Sequence, residues 1–133
     1  MTQGYIGTKI ITAWPADNGN GIPGYGVKYE DGYISWSPKE TFEKFYRALE
    51  GGHLTFGDAI HLLKMGKRVC RAGWNGKGMW LMLVPEAIAD AVAFQCAALS
   101  AYPWIGMKTA DEKFIPWLAS QADVLAEDWM ILP

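Results

Sequence analysis

The chain is poor in the features that mark a protein built around a metal, a disulfide framework or a polyanion. It has two cysteines, Cys70 and Cys96, far apart and with no Cys-x-x-Cys spacing. Neither a disulfide scaffold nor a zinc site is expected. The expected setting is a reducing cytoplasm, with both thiols as small buried hydrophobes. The two histidines, His53 and His61, read as a linker residue and a helix-surface residue, with no metal-ligand spacing around them. Basic surplus is absent too: 12 Lys and Arg stand against 14 Asp and Glu. A protein that coats DNA or RNA needs a cationic surface to release counterions, so that class is not expected. A small anionic ligand, needing only two or three local cations, remains open. The longest apolar run, residues 87–101, is interrupted by Asp90 and Gln95 and is too short to span a bilayer. No charged leader precedes an apolar core at the N-terminus, so a signal peptide is not expected either.

What the chain does have is tryptophan and glycine: seven and fifteen among 133 residues. Both concentrate in Arg71-Ala72-Gly73-Trp74-Asn75-Gly76-Lys77-Gly78-Met79-Trp80. Two indoles, an amide and two cations lie within ten residues there, with glycines that let backbone approach a ligand closely. Two phosphate-binding motifs are nearly matched and both fail. Gly19-Asn20-Gly21-Ile22-Pro23-Gly24 has dinucleotide-fingerprint spacing, but Pro23 and the strand-like Tyr25–Tyr29 stand where a helix should open. Gly73-x-x-Gly76-Lys77 is too short for a Walker loop, and Gly78 replaces the hydroxyl that would bind magnesium.

The order of elements predicts an α+β fold of small antiparallel sheets with short helices. An N-terminal appendage, residues 1–52, comprises strands Tyr5–Trp14, Tyr25–Tyr29 and Tyr33–Trp36, with a hairpin turn at Glu30-Asp31-Gly32. A helix follows, capped at Ser37 with Pro38 at its first position, burying Phe42, Phe45, Tyr46 and Leu49 and ending at Gly51-Gly52. Its core is thin, so it is expected to pack on the rest. Residues 53–133 form the main domain. Thr55–Asp58 is a capping box opening a helix with the stripe Phe56, Ala59, Ile60 and Leu63. Strands follow at Lys67–Ala72 and Met79–Val84, then a helix over Pro85–Ala101. That helix is apolar almost all round, so it should be buried on two sides, the second being another subunit. Strands Trp104–Thr109 and Phe114–Leu118, a third capping box at Ser120–Asp123 and a final strand Trp129–Leu132 complete the chain.

Trp74 is the indole expected to serve a ligand, since a glycine-flanked turn is a poor place for one otherwise. A base stacked on it would gain roughly 1–3 kcal/mol. Arg71, Lys77 and Lys108 are candidate phosphate partners, with a solvated cation as the plainer reading of each. Ser120 opens a helix whose free amides attract anions, or simply caps it. Asn75 and Gln121 carry donor and acceptor together for a base edge or ribose hydroxyl, and Asp123 caps or binds a ribose diol. No Ser-His-Asp or Cys-His set can be placed. Asp111, Asp123, Glu127 and Asp128 are candidate paired carboxylates, but nothing in the sequence brings two together. Binding chemistry is therefore better represented than catalytic chemistry.

The motifs Thr55-Phe56-x-x-Ala59-Ile60, Arg71–Lys77, Pro103–Asp111, Pro116–Asp123 and Leu125–Trp129 together resemble a family of small phage and prophage proteins. These are the second type of Thoeris anti-defence proteins, and the likeness spans residues 54–132. The resemblance implies a sponge, not an enzyme and without a cofactor. Such proteins hold cyclic ADP-ribose isomers made by bacterial TIR-domain enzymes without cleaving them, and some also hold cyclic dinucleotides of CBASS-type defence. It implies a homotetramer built from dimers, with pockets between protomers, acting in the cytoplasm of the infected host. By motif, Trp74, Asn75, Lys108, Thr109, Asp111, Trp117, Ser120, Gln121 and Asp123 should face the ligand. Two features depart from the pattern: the apolar stretch Glu86–Ala101, where short members are more polar and extended, and the extra N-terminal fifty residues. The alternatives are a phosphodiesterase cleaving a cyclic nucleotide, which needs a base or metal, and a module that binds a host protein.

Overall fold

The computed structural model describes residues 1–74 and 77–133. The chain divides into two compact units, Met1–Arg47 and Ala48–Pro133. The fold class is α+β, with two small antiparallel sheets and short helices.

The first unit is a meander of β1 (Thr12–Pro15), β2 (Gly24–Lys28) and β3 (Ile34–Pro38), paired in sequence order, followed by α1 (Lys39–Phe45). Two glycines of β2 exist to admit indoles. A Cβ on Gly26 would collide with the Trp14 ring, and one on Gly24 with the Trp36 ring. Trp36 donates from Nε1 to the Ala16 carbonyl at 2.8 Å. Three expectations are corrected here. Residues 5–11 form no strand and are largely exposed, Ile6 fully so. Alternation of Ile, Tyr and Thr shows only that a segment fits a pleated surface, and strand 12–15 is where a partner lies in register. Ser37 does not cap the helix, because Ser37 and Pro38 remain paired with Tyr25 and Gly24 in β3. The helix ends at Phe45, well before Gly51-Gly52, and none of its residues is fully buried. Phe42 and Tyr46 carry its packing, with Tyr25, Phe42 and Tyr46 stacked in a row at 4.1 and 4.9 Å. Phe45 is exposed.

The second unit has a five-stranded antiparallel sheet in the order β7-β6-β5-β4-β8. These are β4 (Val69–Arg71), β5 (Trp80–Val84), β6 (Trp104–Lys108), β7 (Phe114–Pro116) and β8 (Trp129–Ile131). Helix α2 (Phe56–Lys64) opens on the Thr55 capping box and closes before Gly66, whose φ is 83°. It lies on β4, β5 and β8 and buries Ala59, Leu62 and Leu63 against Leu54, Val69, Leu81 and Trp129. Leu62 joins the expected stripe because a helix seated on a sheet buries a wider face than a single row. Alternation puts Leu81 and Met107 on the α2 side of the sheet, and Trp80, Lys108 and Phe114 on the other. Phe114 lies over Gly106, where a Cβ would strike its ring.

Helix α3 (Glu86–Ala97) follows β5, and α4 (Gln121–Leu125) precedes β8. The expectation that α3 is buried within its own chain on at least one broad face is corrected. Ala89 is its one buried residue, while Ile88, Val92, Phe94 and the following Leu99 are 56%, 57%, 70% and 64% exposed. The helix stops at Ala98, which turns left-handed with φ 55°, earlier than Ala101. The cysteine expectation is corrected in part. Cys70 is half-buried on β4, whereas Cys96 on α3 is exposed.

Candidate functional site

The candidate residues converge at the end of the sheet where β4 and β8 meet α4. Trp129 is the anchor. It is fully buried and pairs with Arg71 across the sheet and with Leu54 in an isolated bridge. Its Nε1 donates to the Asp123 carbonyl at 3.0 Å. Three rings pack on it: Phe56 at 5.6 Å, Trp74 edge-on at 5.6 Å and Trp117 edge-on at 6.1 Å. These are ordinary distances for edge-to-face aromatic pairs. Trp74 is therefore not a lone indole on an open turn, as its flanking glycines imply. It closes a short 3-10 turn, Ala72–Trp74, with one side on the core and part of its surface in solvent. Trp117 is half-buried beside it, 6.2 Å from Phe56. Asn75 lies outside the described residues.

Arg71 reaches from β4 into a pair of carboxylates. Its Nε donates to Asp128 Oδ1 at 2.8 Å and its Nη1 to Asp123 Oδ1 at 2.9 Å. Asp123 Oδ2 meanwhile accepts from the Ser120 amide and hydroxyl, as half of the α4 capping box. Asp128 Oδ2 accepts from the Gly73 amide at 3.1 Å, and the Asp128 carbonyl accepts from the Ala72 amide at 2.9 Å. The carboxylates that sequence reasoning could not pair are thus brought together around one guanidinium. One cation and two anions leave this corner with a net charge of −1.

The charges sharpen one another. Hydrogen bonds from Arg71 hold Asp128 below the ordinary aspartate range against the opposing effect of burial. Burial pushes Asp123 upward, but bonds from Ser120 and Arg71 outweigh it and its pKa is lowered too. Arg71 is raised by hydrogen bonds to Asp128 and then Asp123. All three are charged at neutral pH. Arg71 is therefore committed to protein carboxylates, and Asp123 keeps only spare lone-pair capacity for a ligand donor.

The other candidates sit at the far end of the 71–80 segment. Lys108 Nζ donates to the Gly78 carbonyl at 3.1 Å and lies 3.9 Å from the exposed Glu112. That bond brings Lys108 to the residue next to Lys77, whose side chain is exposed. Thr109 and Asp111 build the hairpin between β6 and β7. The Thr109 hydroxyl accepts from the Lys113 amide at 2.9 Å and donates toward Asp111. Glu112 completes that turn with a φ of 64°. Gln121 is exposed at the start of α4. That helix has only five residues, so its dipole offers an anion little. The arrangement is two-ended: lysines near Gly78, an aspartate-rich corner at Arg71, and Trp74 between them in the chain. Asp128 is the residue whose part sequence reasoning missed. Its separation of 57 residues from Arg71 carries no local signal.

No group of three His, Cys, Asp or Glu side chains is arranged to hold a metal among the described residues. No helix is long and apolar enough to cross a membrane among them.

The lowered aspartates make acid sensitivity a prediction. A carboxylate with a depressed folded-state pKa stabilises the fold above its unfolded value, and that stability is lost as pH falls through the folded value. The window therefore opens near the ordinary aspartate value of 3.8 and extends below it. Denaturant titrations between pH 6 and pH 2.5 should show stability falling in that range, and Arg71→Gln should flatten the dependence. A variant with the same pH slope as the parent would contradict the ion-pair account.

The family profile described as the Thoeris anti-defense 2-like domain matches residues 54–132. The protein named Thoeris anti-defense 2 from Bacillus phage SP01 is 44% identical over 84 residues, which span 59% of this chain and 94% of that protein.

Proposed function

Since the chain belongs to the Thoeris anti-defense 2-like family, and so has a phage anti-defence role, we propose that it acts by holding a cyclic nucleotide immune signal without cleaving it. The signal is a cyclic ADP-ribose isomer made by a TIR-domain enzyme, with cyclic dinucleotides as further ligands, and the setting is the host cytoplasm. The observation that carries this reading is the two-ended site. A cyclic ADP-ribose isomer has a flat base, a pyrophosphate and ribose hydroxyls. Trp74 and Trp117, backed by Trp129, offer aromatic surface for the base. Lys77 and Lys108 beside Gly78 supply positive charge for the pyrophosphate. The net-negative corner at Asp123 favours hydroxyl donors over phosphate.

Asp123 and Asp128 are engaged in structural bonds, to Arg71, to Ser120 and to the Gly73 amide, which favours a role in shaping the site over one in bond cleavage. Two contributions of the candidate set are indirect on this reading. Thr109 and Asp111 shape the hairpin next to Lys108, and Ser120 fixes Asp123. Gln121 is free to meet a base edge or ribose.

A pocket shared between protomers would enclose a ligand better than one half-open surface. The exposed apolar residues Ile88, Val92 and Phe94 of α3, with Leu99 just after it, support a homo-oligomer, which on the proposed reading is a dimer of dimers. Light scattering at micromolar concentration should give a mass above one chain. A single monomeric species would contradict it.

Calorimetry with a purified TIR-made isomer tests the ligand assignment. Trp74→Ala should lose roughly 1–3 kcal/mol of binding, about 5- to 150-fold in affinity, with the fold retained. Lys108→Ala should weaken binding less at high salt than at low salt, because screening already removes part of its contribution. Unchanged affinity in the Trp74 variant would refute the stacking role.

A further inference from the structure

One carboxylate at the site is bonded mainly to the segment that carries Trp74. Asp128 lies just before β8, yet its atoms make four bonds to the segment carrying Trp74. Oδ1 accepts from Arg71 Nε, Oδ2 accepts from Arg71 Nη2 at 3.5 Å and from the Gly73 amide, and its carbonyl accepts from the Ala72 amide. Gly73 has no side chain to pack, and a 3-10 turn of three residues has weak internal hydrogen bonding. The Asp128 carboxylate lies close against the turn: a Cβ on Gly73 would be 3.1 Å from its Oδ2. The Trp74 indole lies edge-on against Trp129, and the Asp128 carboxylate fixes the Gly73 amide immediately before it.

We propose that Asp128 is a positioning residue, which holds the Ala72–Trp74 turn so that the Trp74 indole is presented ready-oriented to the ligand. Its carboxylate ties that turn to the buried Trp129 strand, and through Arg71 it ties the turn to Asp123 on α4. The two aromatic and polar sides of the site are therefore set by one group. An indole already held in place loses less freedom on binding, so affinity depends on Asp128 without contact. This inference rests on the ligand-holding reading above, and the test separates the two.

The test uses the full chain and two variants, Asp128→Ala and the nearly isosteric Asp128→Asn. In ligand-free protein, amide hydrogen exchange at Gly73 should quicken by about tenfold or more in Asp128→Ala, as expected when the acceptor of its hydrogen bond is removed. The indole resonance of Trp74 should shift in both variants. With a purified TIR-made cyclic ADP-ribose isomer, Asp128→Asn should bind several-fold more weakly, and Asp128→Ala at least about tenfold more weakly. In a Trp74→Ala background, Asp128→Ala should add almost nothing to the loss, because the group it positions is gone. Additive losses, or lowered melting temperature with binding unchanged in the folded Asn variant, would overturn the proposal. So would Gly73 exchange and a Trp74 resonance that ignore both substitutions. If the parent chain holds no such isomer while Gly73 and Trp74 respond as described, the ligand reading falls and the positioning of the turn stands.

Discussion

The C-terminal unit depends on the burial of one indole. Trp129 is enclosed by Phe56 from α2, Trp74 from the turn and Trp117 from the segment after β7. Its backbone pairs with Arg71 and Leu54, and its ring nitrogen is satisfied by the Asp123 carbonyl. A fully buried donor left without an acceptor would cost about 1–3 kcal/mol, so α4 must stay where Asp123 can accept. The same constraint puts Asp123 next to Arg71. The core and the site are therefore not separate regions: the ring that closes one supports the wall of the other.

That overlap explains why the site looks modest in electrostatic terms. Arg71, which alone would be an obvious phosphate ligand, is spent on Asp123 and Asp128. Positive potential is left to Lys77 and Lys108 at the other end of the same segment. On the proposed reading, the anionic and hydroxylic ends of the ligand would meet different ends of this segment. Specificity of this kind comes from placing unlike charges apart, and needs no surplus of either sign in the chain as a whole.

Much of the fold was legible because its signals are local. The capping boxes at Thr55 and Ser120 form as their spacing implies. The strands at 80–84, 104–108 and 114–116 follow alternation and turn residues. What was not legible depends on partners distant in sequence. Residues 5–11 have strand composition and no strand to pair with. Ser37-Pro38 reads as a helix start until Gly24 is known to lie across from it. The reading of Trp74 as an indole on an open turn is incomplete. The glycines around it mark a turn, but the ring also belongs to the core, which only the position of Trp129 reveals. The Arg71 bridges span 52 and 57 residues, beyond any periodicity or spacing rule.

The central claim is that this site holds its ligand and leaves it whole. The most direct measurement is mass spectrometry of small molecules released by heat from protein that was first soaked in lysate of cells with an active TIR-domain defence enzyme. The account predicts one intact cyclic ADP-ribose isomer, recovered in proportion to protein. Recovery of linear ADP-ribose, or of no nucleotide at all, would contradict it.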